Sequence, residues 1–87
     1  MQKVQVELKN ETGLHARPAS IFVKEATKYT SDIKIMKDDK KYSAKSIMGI
    51  LSLGAGKGDK LTIIADGEDE KQAVEALKAL VENNFEK

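Results

Sequence analysis

The chain contains no cysteine, which removes disulfide staples, thiolate metal sites and cysteine nucleophiles together. It has no tryptophan and only 5% aromatic residues, too few for the stacking platforms that hold single-stranded nucleic acids. Neither charge sign prevails: 15 Lys and Arg stand against 14 Asp and Glu, a formal charge of +1. A nucleic-acid binder normally carries a basic excess, so no direct nucleic-acid partner is expected. One histidine cannot build a zinc site without several carboxylates beside it, and neither metal nor cofactor is expected. Long apolar runs are missing too. Leu61-Thr62-Ile63-Ile64-Ala65 is far short of the ~20 residues a membrane span needs. Met1-Gln2-Lys3-Val4-Gln5-Val6 carries no apolar stretch of signal-peptide type. These absences point to a soluble, cytoplasmic chain without membrane insertion.

What is present is enough for one small core. With 87 residues, of which 40% are hydrophobic, the chain is expected to form a single domain over residues 1–87. No repeat, low-complexity tract or linker divides it. The single histidine, single arginine and single proline all fall within His15-Ala16-Arg17-Pro18. The remaining basic residues are lysines spread along the chain. Arginine offers a planar, bidentate fork for phosphate or carboxylate that lysine does not reproduce. That tetrapeptide is therefore the first place to look for chemistry.

Val4 to Leu8 alternates apolar and polar residues, the mark of a half-buried strand. Asn10-Glu11-Thr12-Gly13 reads as a loop. From about Ala16 to Lys28, Ala19, Phe22, Val23 and Ala26 fall on one helix face. Ser31 to Lys37 reads as a strand carrying Ile33 and Ile35 on one side. A polar turn, Asp38-Asp39-Lys40-Lys41, leads into a short strand around Tyr42-Ser43-Ala44. Ser46 to Leu53 forms a short helix with Ser46 as N-cap and Gly54 just past its end. After the turn Gly56-Lys57-Gly58-Asp59, a strand runs from Lys60 to Ala65. The last helix, about Glu70 to Asn83, has a broad apolar face, and Asp69 with Gln72 resembles a capping box. Three helices interleave with four strands, and helices on one face of a single sheet would bury every apolar stripe. The fold class is thus α+β, a two-layer open-faced sandwich in βαββαβα order.

Two helix beginnings invite chemistry. The first amides of a helix have no intrahelical partner and, with the macrodipole, form an anion-binding end. Pro18 is tolerated in the first turn, although the residue before a proline avoids helical geometry, which favours a start at Pro18. An imidazole, free amides and a guanidinium thus converge at one exposed point. A neutral imidazole is a competent nucleophile near physiological pH, and the backbone N–H groups of Ala16 and Arg17 with the Arg17 side chain would steady an attached phosphoryl group. The helix-end contribution is typically ~0.3–1 kcal/mol, so it tunes a transfer without driving it. At the second start, a phosphate on Ser46 would meet free amides in the same way. If that start lies near the first, the added charge should repel an acidic partner and slow transfer at His15. In the helix that follows, Ile50 and Leu53 can be buried together, leaving Ile47, Met48 and Leu51 outward as an apolar docking patch. Arg17, Ser20 and Lys24 recur along the first helix, with Lys28 near the same stripe, a basic surface for an acidic partner. Gly54-Ala55-Gly56-Lys57-Gly58 lacks P-loop spacing and reads as a helix stop followed by a turn.

Gly13-Leu14-His15-Ala16-Arg17-Pro18-Ala19 resembles the active-site signature of HPr, the histidine-containing phosphocarrier of the bacterial phosphoenolpyruvate-dependent sugar phosphotransferase system. Lys45-Ser46-Ile47-Met48-Gly49-Ile50-Leu51-Ser52-Leu53-Gly54 is similar to that family's second signature in its Gram-positive form. The resemblance covers essentially the whole chain, including Gly67-Glu68-Asp69-Glu70 before the last helix. It implies a four-stranded antiparallel sheet of order 1-4-2-3 with three helices on one face. It also implies a carrier, itself no enzyme. His15 would accept a phosphoryl group on its δ nitrogen from phosphorylated Enzyme I and donate it to IIA components of sugar permeases, with Arg17 stabilising the phosphate. Ser46 matches the serine modified by HPr kinase/phosphorylase, whose product serves a catabolite control repressor. Ser20, Lys24, Ile47, Met48 and Leu51 match the family's docking surface. One branch of the family keeps the serine but lacks the histidine, and His15 sets this chain apart from it. The departure from the family pattern is Asp38-Asp39-Lys40-Lys41, where many members carry a glycine.

Overall fold

A computed structural model describes residues 1–85. The elements run β1 (Gln2–Glu7), α1 (Ala16–Ala26), β2 (Asp32–Lys37), β3 (Lys40–Ser43), α2 (Ile47–Ser52), β4 (Lys60–Asp66) and α3 (Glu70–Glu82). The four strands form one antiparallel sheet of order β1-β4-β2-β3. This is the α+β open-faced sandwich expected, with the expected strand order. Register follows from the period-two alternation, because a slip of one residue would turn every apolar side chain to the wrong face. Val4 pairs with Ile63, Ile63 with Ile35, and Ile35 with Tyr42, so an apolar row crosses all four strands. Phe22 of α1, Ile50 of α2 and Leu77 of α3 are fully buried together with Ile33, Ile35 and Ile63.

Three local readings are corrected. The β2–β3 turn is shorter than four residues: Lys37 pairs with Lys40, leaving only Asp38 and Asp39 in the loop. Asp38 takes φ 55°, the left-handed conformation that a two-residue hairpin needs and that Asp tolerates better than most residues. The hairpin is thereby kept without a glycine. Second, α1 ends at Ala26 and not at Lys28. Thr27 Oγ1 donates to the Lys24 carbonyl at 2.9 Å, and the amides of Lys28 and Tyr29 turn back to Glu25 and Ala26 in a tighter coil. Lys28 thus leaves the basic stripe, and its ammonium lies 3.1 Å from Glu25.

Third, Asp69 precedes α3 but does not cap it through its side chain. Its carboxylate instead accepts the amides of Thr30 and Ser31, at 2.9 and 3.0 Å, and the Ser31 hydroxyl. The turn into β2 would otherwise leave these donors unpaired, and Ser31 is buried. Glu70 supplies the local contact, accepting the Gly67 amide at 3.1 Å. The Ser31 hydroxyl, and after it the Thr30 amide, hold the Asp69 carboxyl down to about 2. A depressed carboxyl stabilises the fold above the ordinary value of 3.8 and loses that contribution as pH falls toward about 2. Asp69→Asn is therefore expected to lower the melting temperature by several degrees at pH 7. The gap from wild type should close as pH falls through this window. Thermal melts across pH 2 to 7 check this, and a gap that stays constant with pH would contradict it.

Candidate functional site

The site is built from a buried anchor and an exposed residue beside it. Leu14 is buried, and its amide donates to the Ala55 carbonyl at 3.1 Å. Gly13, at φ 61°, lies so close to the 54–58 segment that an added Cβ would fall 2.5 Å from Gly56 Cα and 2.6 Å from the Ala55 oxygen. Asn10 closes the loop from below, its side-chain amide donating to the Gly13 carbonyl at 2.8 Å. With residues 13 and 14 fixed inward, the chain emerges at His15.

His15 is the N-cap of α1, with extended backbone (φ −76°, ψ 179°). Its carbonyl accepts the Ala19 amide at 2.8 Å, closing the first turn. The imidazole makes no side-chain cap, is exposed, and has no hydrogen-bond partner among the described residues. The helix begins at Ala16 and not at Pro18, so Arg17 is helical despite the proline after it. Pro18 falls on the third helical position, where its missing N–H costs no intrahelical bond. Among the described residues, the amides without a partner at this end are those of Ala16 and Arg17, directly after His15. The Arg17 side chain is exposed and forms no ion pair among the described residues.

Beside His15 lies a cleft of about 390 Å³, lined by Thr12, Leu14 and Ala16 on one side and by Leu51, Gly54, Ala55 and Gly56 on the other. The glycine-rich segment is a helix stop, as expected: Gly54 takes φ 63° just past α2. It is also a wall of the site, a role its composition alone did not reveal. The signal was there in Gly13 and Gly56, two glycines that let two backbones meet.

The second candidate lies elsewhere. Ser46 is the N-cap of α2, accepting the Gly49 amide at 3.2 Å. Its neighbour Lys45 donates to the Tyr29 carbonyl at 2.6 Å, just beyond the C-terminal end of α1. Leu51, near the far end of α2, lines the cleft at His15. The two helices therefore run in opposite directions, and the start of α2 does not adjoin the start of α1. The condition that the two helix starts adjoin is not met: Ser46 opens α2, whereas Leu51 toward its other end lines the cleft, and six helical residues rise about 9 Å. Along α2, Ile50 is fully buried while Met48 is 71% exposed and Ile47 and Leu51 are more than a third exposed. Gly49 faces inward on Tyr42, where a Cβ would lie 2.9 Å from the tyrosine Cβ. The helix can rest that low on the sheet only with glycine there, and its apolar top remains in water. Ser20 is half-buried and Lys24 exposed on α1, which packs against α2.

This geometry coincides with a family match. The model of the PTS HPr component phosphorylation site matches residues 2–83. The chain belongs to the HPr family. It is 55% identical over 82 residues to the HPr-like protein Crh of Halalkalibacterium halodurans, covering 94% of this chain and 98% of that protein. Among solved structures, HPr-C-His from Thermoanaerobacter tengcongensis superposes with a TM-score of 0.95 at 52% identity, covering 98% of this chain and 96% of that one. Crh, the Bacillus subtilis catabolite repression HPr, is 51% identical with a TM-score of 0.69, over 92% and 95% of the two chains. Family membership makes this a phosphocarrier-type protein. Among the described residues, no helix of this HPr-family chain is long and apolar enough to cross a membrane.

Substituting Gly13 tests how the loop is held. Gly13→Ala forces a Cβ into the 54–58 backbone and into a left-handed conformation that costs ~1–2 kcal/mol by itself. A loss of stability larger than that is expected in denaturant unfolding, with amide shifts reaching His15 and Gly56. A loss confined to a few tenths of a kcal/mol would show that the contact is easily relaxed.

Proposed function

We propose that this chain carries a phosphoryl group on His15, received from a phosphorylated Enzyme I and passed to IIA components of sugar permeases. The observation that carries the reading is an exposed imidazole at the N-cap of α1, unengaged by other side chains and followed at once by two unpaired amides. Transfer needs a ring nitrogen that can meet phosphorus in line with the leaving atom and donors that stabilise the charge on the phosphoryl oxygens. A ring buried in the core or locked into a cap would offer neither. The His15 δ nitrogen attacks phosphorus as the bond from phosphorus to the donor's leaving atom breaks, so the group moves without an added co-reactant. The Ala16 and Arg17 amides and the Arg17 guanidinium then steady the bound dianion. A nucleophile on the acceptor repeats the displacement, taking the phosphoryl group and leaving His15 free.

Docking falls to the surface around it. Ile47, Met48 and Leu51 on α2 supply an exposed apolar centre, and Ser20 and Lys24 lie on α1, which packs against α2, as a polar, basic flank. Fully burying one such large apolar side chain contributes ~1.5–3 kcal/mol, so three suffice to anchor a transient complex. The lysine and arginine along α1 favour partners with an acidic surface.

A regulatory role at Ser46 is the second part of the reading. It is supported by Ser46 as a helix N-cap at the edge of the exposed apolar patch and by the similarity to proteins named Crh. Phosphorylation, by HPr kinase/phosphorylase, would add roughly two negative charges at pH 7 at the rim of the docking surface. Acidic partners would be repelled, and a catabolite control repressor with a basic surface would gain a contact.

Incubation with phosphoenolpyruvate and a competent Enzyme I is expected to place one acid-labile phosphate on His15. His15→Ala should abolish labelling and Arg17→Ala should slow it by about tenfold or more. Labelling that survives His15→Ala, or its absence in wild type, would refute the carrier reading. Ser46→Asp should raise the KM for the phosphodonor several-fold and change kcat little, because Ser46 is a helix length from the reacting ring. A fall in kcat at unchanged KM would contradict docking as the point of control.

A further inference from the structure

We propose that Asp59 is a positioning residue for His15, acting through the glycine-rich wall of the cleft. For its effect on transfer this rests on the carrier reading above. Asp59 ends the 54–58 turn, immediately before β4. Its Oδ2 accepts the Gly56 amide at 2.8 Å and lies 3.2 Å from the Lys37 ammonium at the end of β2. Gly56 is the residue against which Gly13 abuts, and the preceding carbonyl, Ala55, receives the Leu14 amide. A continuous line of contacts therefore runs from the sheet to the imidazole: Lys37, Asp59, Gly56 with Ala55, Gly13 with Leu14, and then His15.

The carboxylate is separable from the rest of the fold. Asp59 also joins Gly56 and Leu8 through its backbone, donating to the Gly56 carbonyl at 3.0 Å and accepting the Leu8 amide at 2.9 Å. Those bonds need no side chain, so the sheet register does not depend on the carboxylate, whereas the tilt of the Ala55–Gly56 peptide does. The Gly56 amide first, and Lys37 after it, hold the Asp59 carboxyl below its ordinary value, as an engaged group requires. The outer link between the same two loops, Lys57 to Glu11 at 2.8 Å, joins two largely exposed side chains. Such pairs contribute little. The half-buried Asp59 is the stronger restraint on the cleft wall.

The test uses the full chain with Asp59→Ala, Asp59→Asn and wild type in parallel. Two readouts are taken: amide hydrogen exchange at Leu14, and kcat and KM for phosphorylation of His15 by phosphorylated Enzyme I. Asp59→Ala is expected to speed Leu14 exchange by roughly tenfold through local opening. It should also lower kcat about three- to tenfold through loss of alignment, with KM nearly unchanged. Asp59→Asn should recover most of both, because its amide oxygen still accepts from Gly56. Unchanged Leu14 exchange and unchanged kcat in Asp59→Ala would overturn the proposal. So would equal losses in Ala and Asn, or exchange that rises uniformly over the core in step with a lowered melting temperature. If wild type is not phosphorylated, the carrier reading fails, and Leu14 exchange with the His15 ring resonances across the variants still decides whether Asp59 holds the loop.

Discussion

One backbone hydrogen bond, from the Leu14 amide to the Ala55 carbonyl, fixes where the imidazole stands. It ties the end of the β1–α1 loop to the segment after α2, two stretches some forty residues apart in sequence. The residue before it must be glycine, since the two backbones touch at Gly13 and Gly56. The residue itself must be apolar, since it is buried. With both held inward, the next residue is turned to solvent at the start of a helix. A histidine in that place presents its ring outward with unpaired amides close behind it. The outward placement of the ring therefore depends less on the histidine than on the packing that holds Gly13 and Leu14 inward.

The same economy governs α2. Gly49 lets the helix sink onto Tyr42, which buries Ile50 and leaves Met48 and its neighbours above the surface. A larger residue at 49 would lift the helix and alter both the cleft wall at Leu51 and the apolar patch. The exposed apolar patch and the cleft wall are thus carried by one short helix, with Ser46 capping its start and Leu51, toward its far end, lining the cleft beside His15.

Much of this could be read from the chain. The period-two strands and the helical stripe through Ala19, Phe22 and Ala26 revealed the layers, because burial of side chains leaves a direct imprint on residue order. Clustering of the single histidine, arginine and proline pointed to the candidate site at the start of α1, and Ser46 was readable as a cap. The failures share a cause. Asp69 looks like a local cap but bonds to amides thirty-eight and thirty-nine residues away, and no local pattern encodes such a partner. The cleft wall at Gly54–Gly56 was read as a turn because glycine spacing says what the backbone permits and not what lies against it. The separation of Ser46 from His15 needed the direction of α2 relative to α1, which is a matter of topology. Asp38 in a left-handed turn shows the reverse case, a departure from the pattern the resemblance implied that the residue's own tolerance absorbs without loss of the hairpin.

The central claim is that the amides at the start of α1 receive the phosphoryl group held on the His15 ring. The most direct measurement is nitrogen-15 NMR of the chain before and after phosphorylation, following the imidazole nitrogens together with the amides of Ala16 and Arg17. The account predicts a large shift at the δ nitrogen alone, with both amide protons moving downfield as they take up hydrogen bonds to phosphate. Phosphate on another residue, or a modified ring with both amides unmoved, would contradict it.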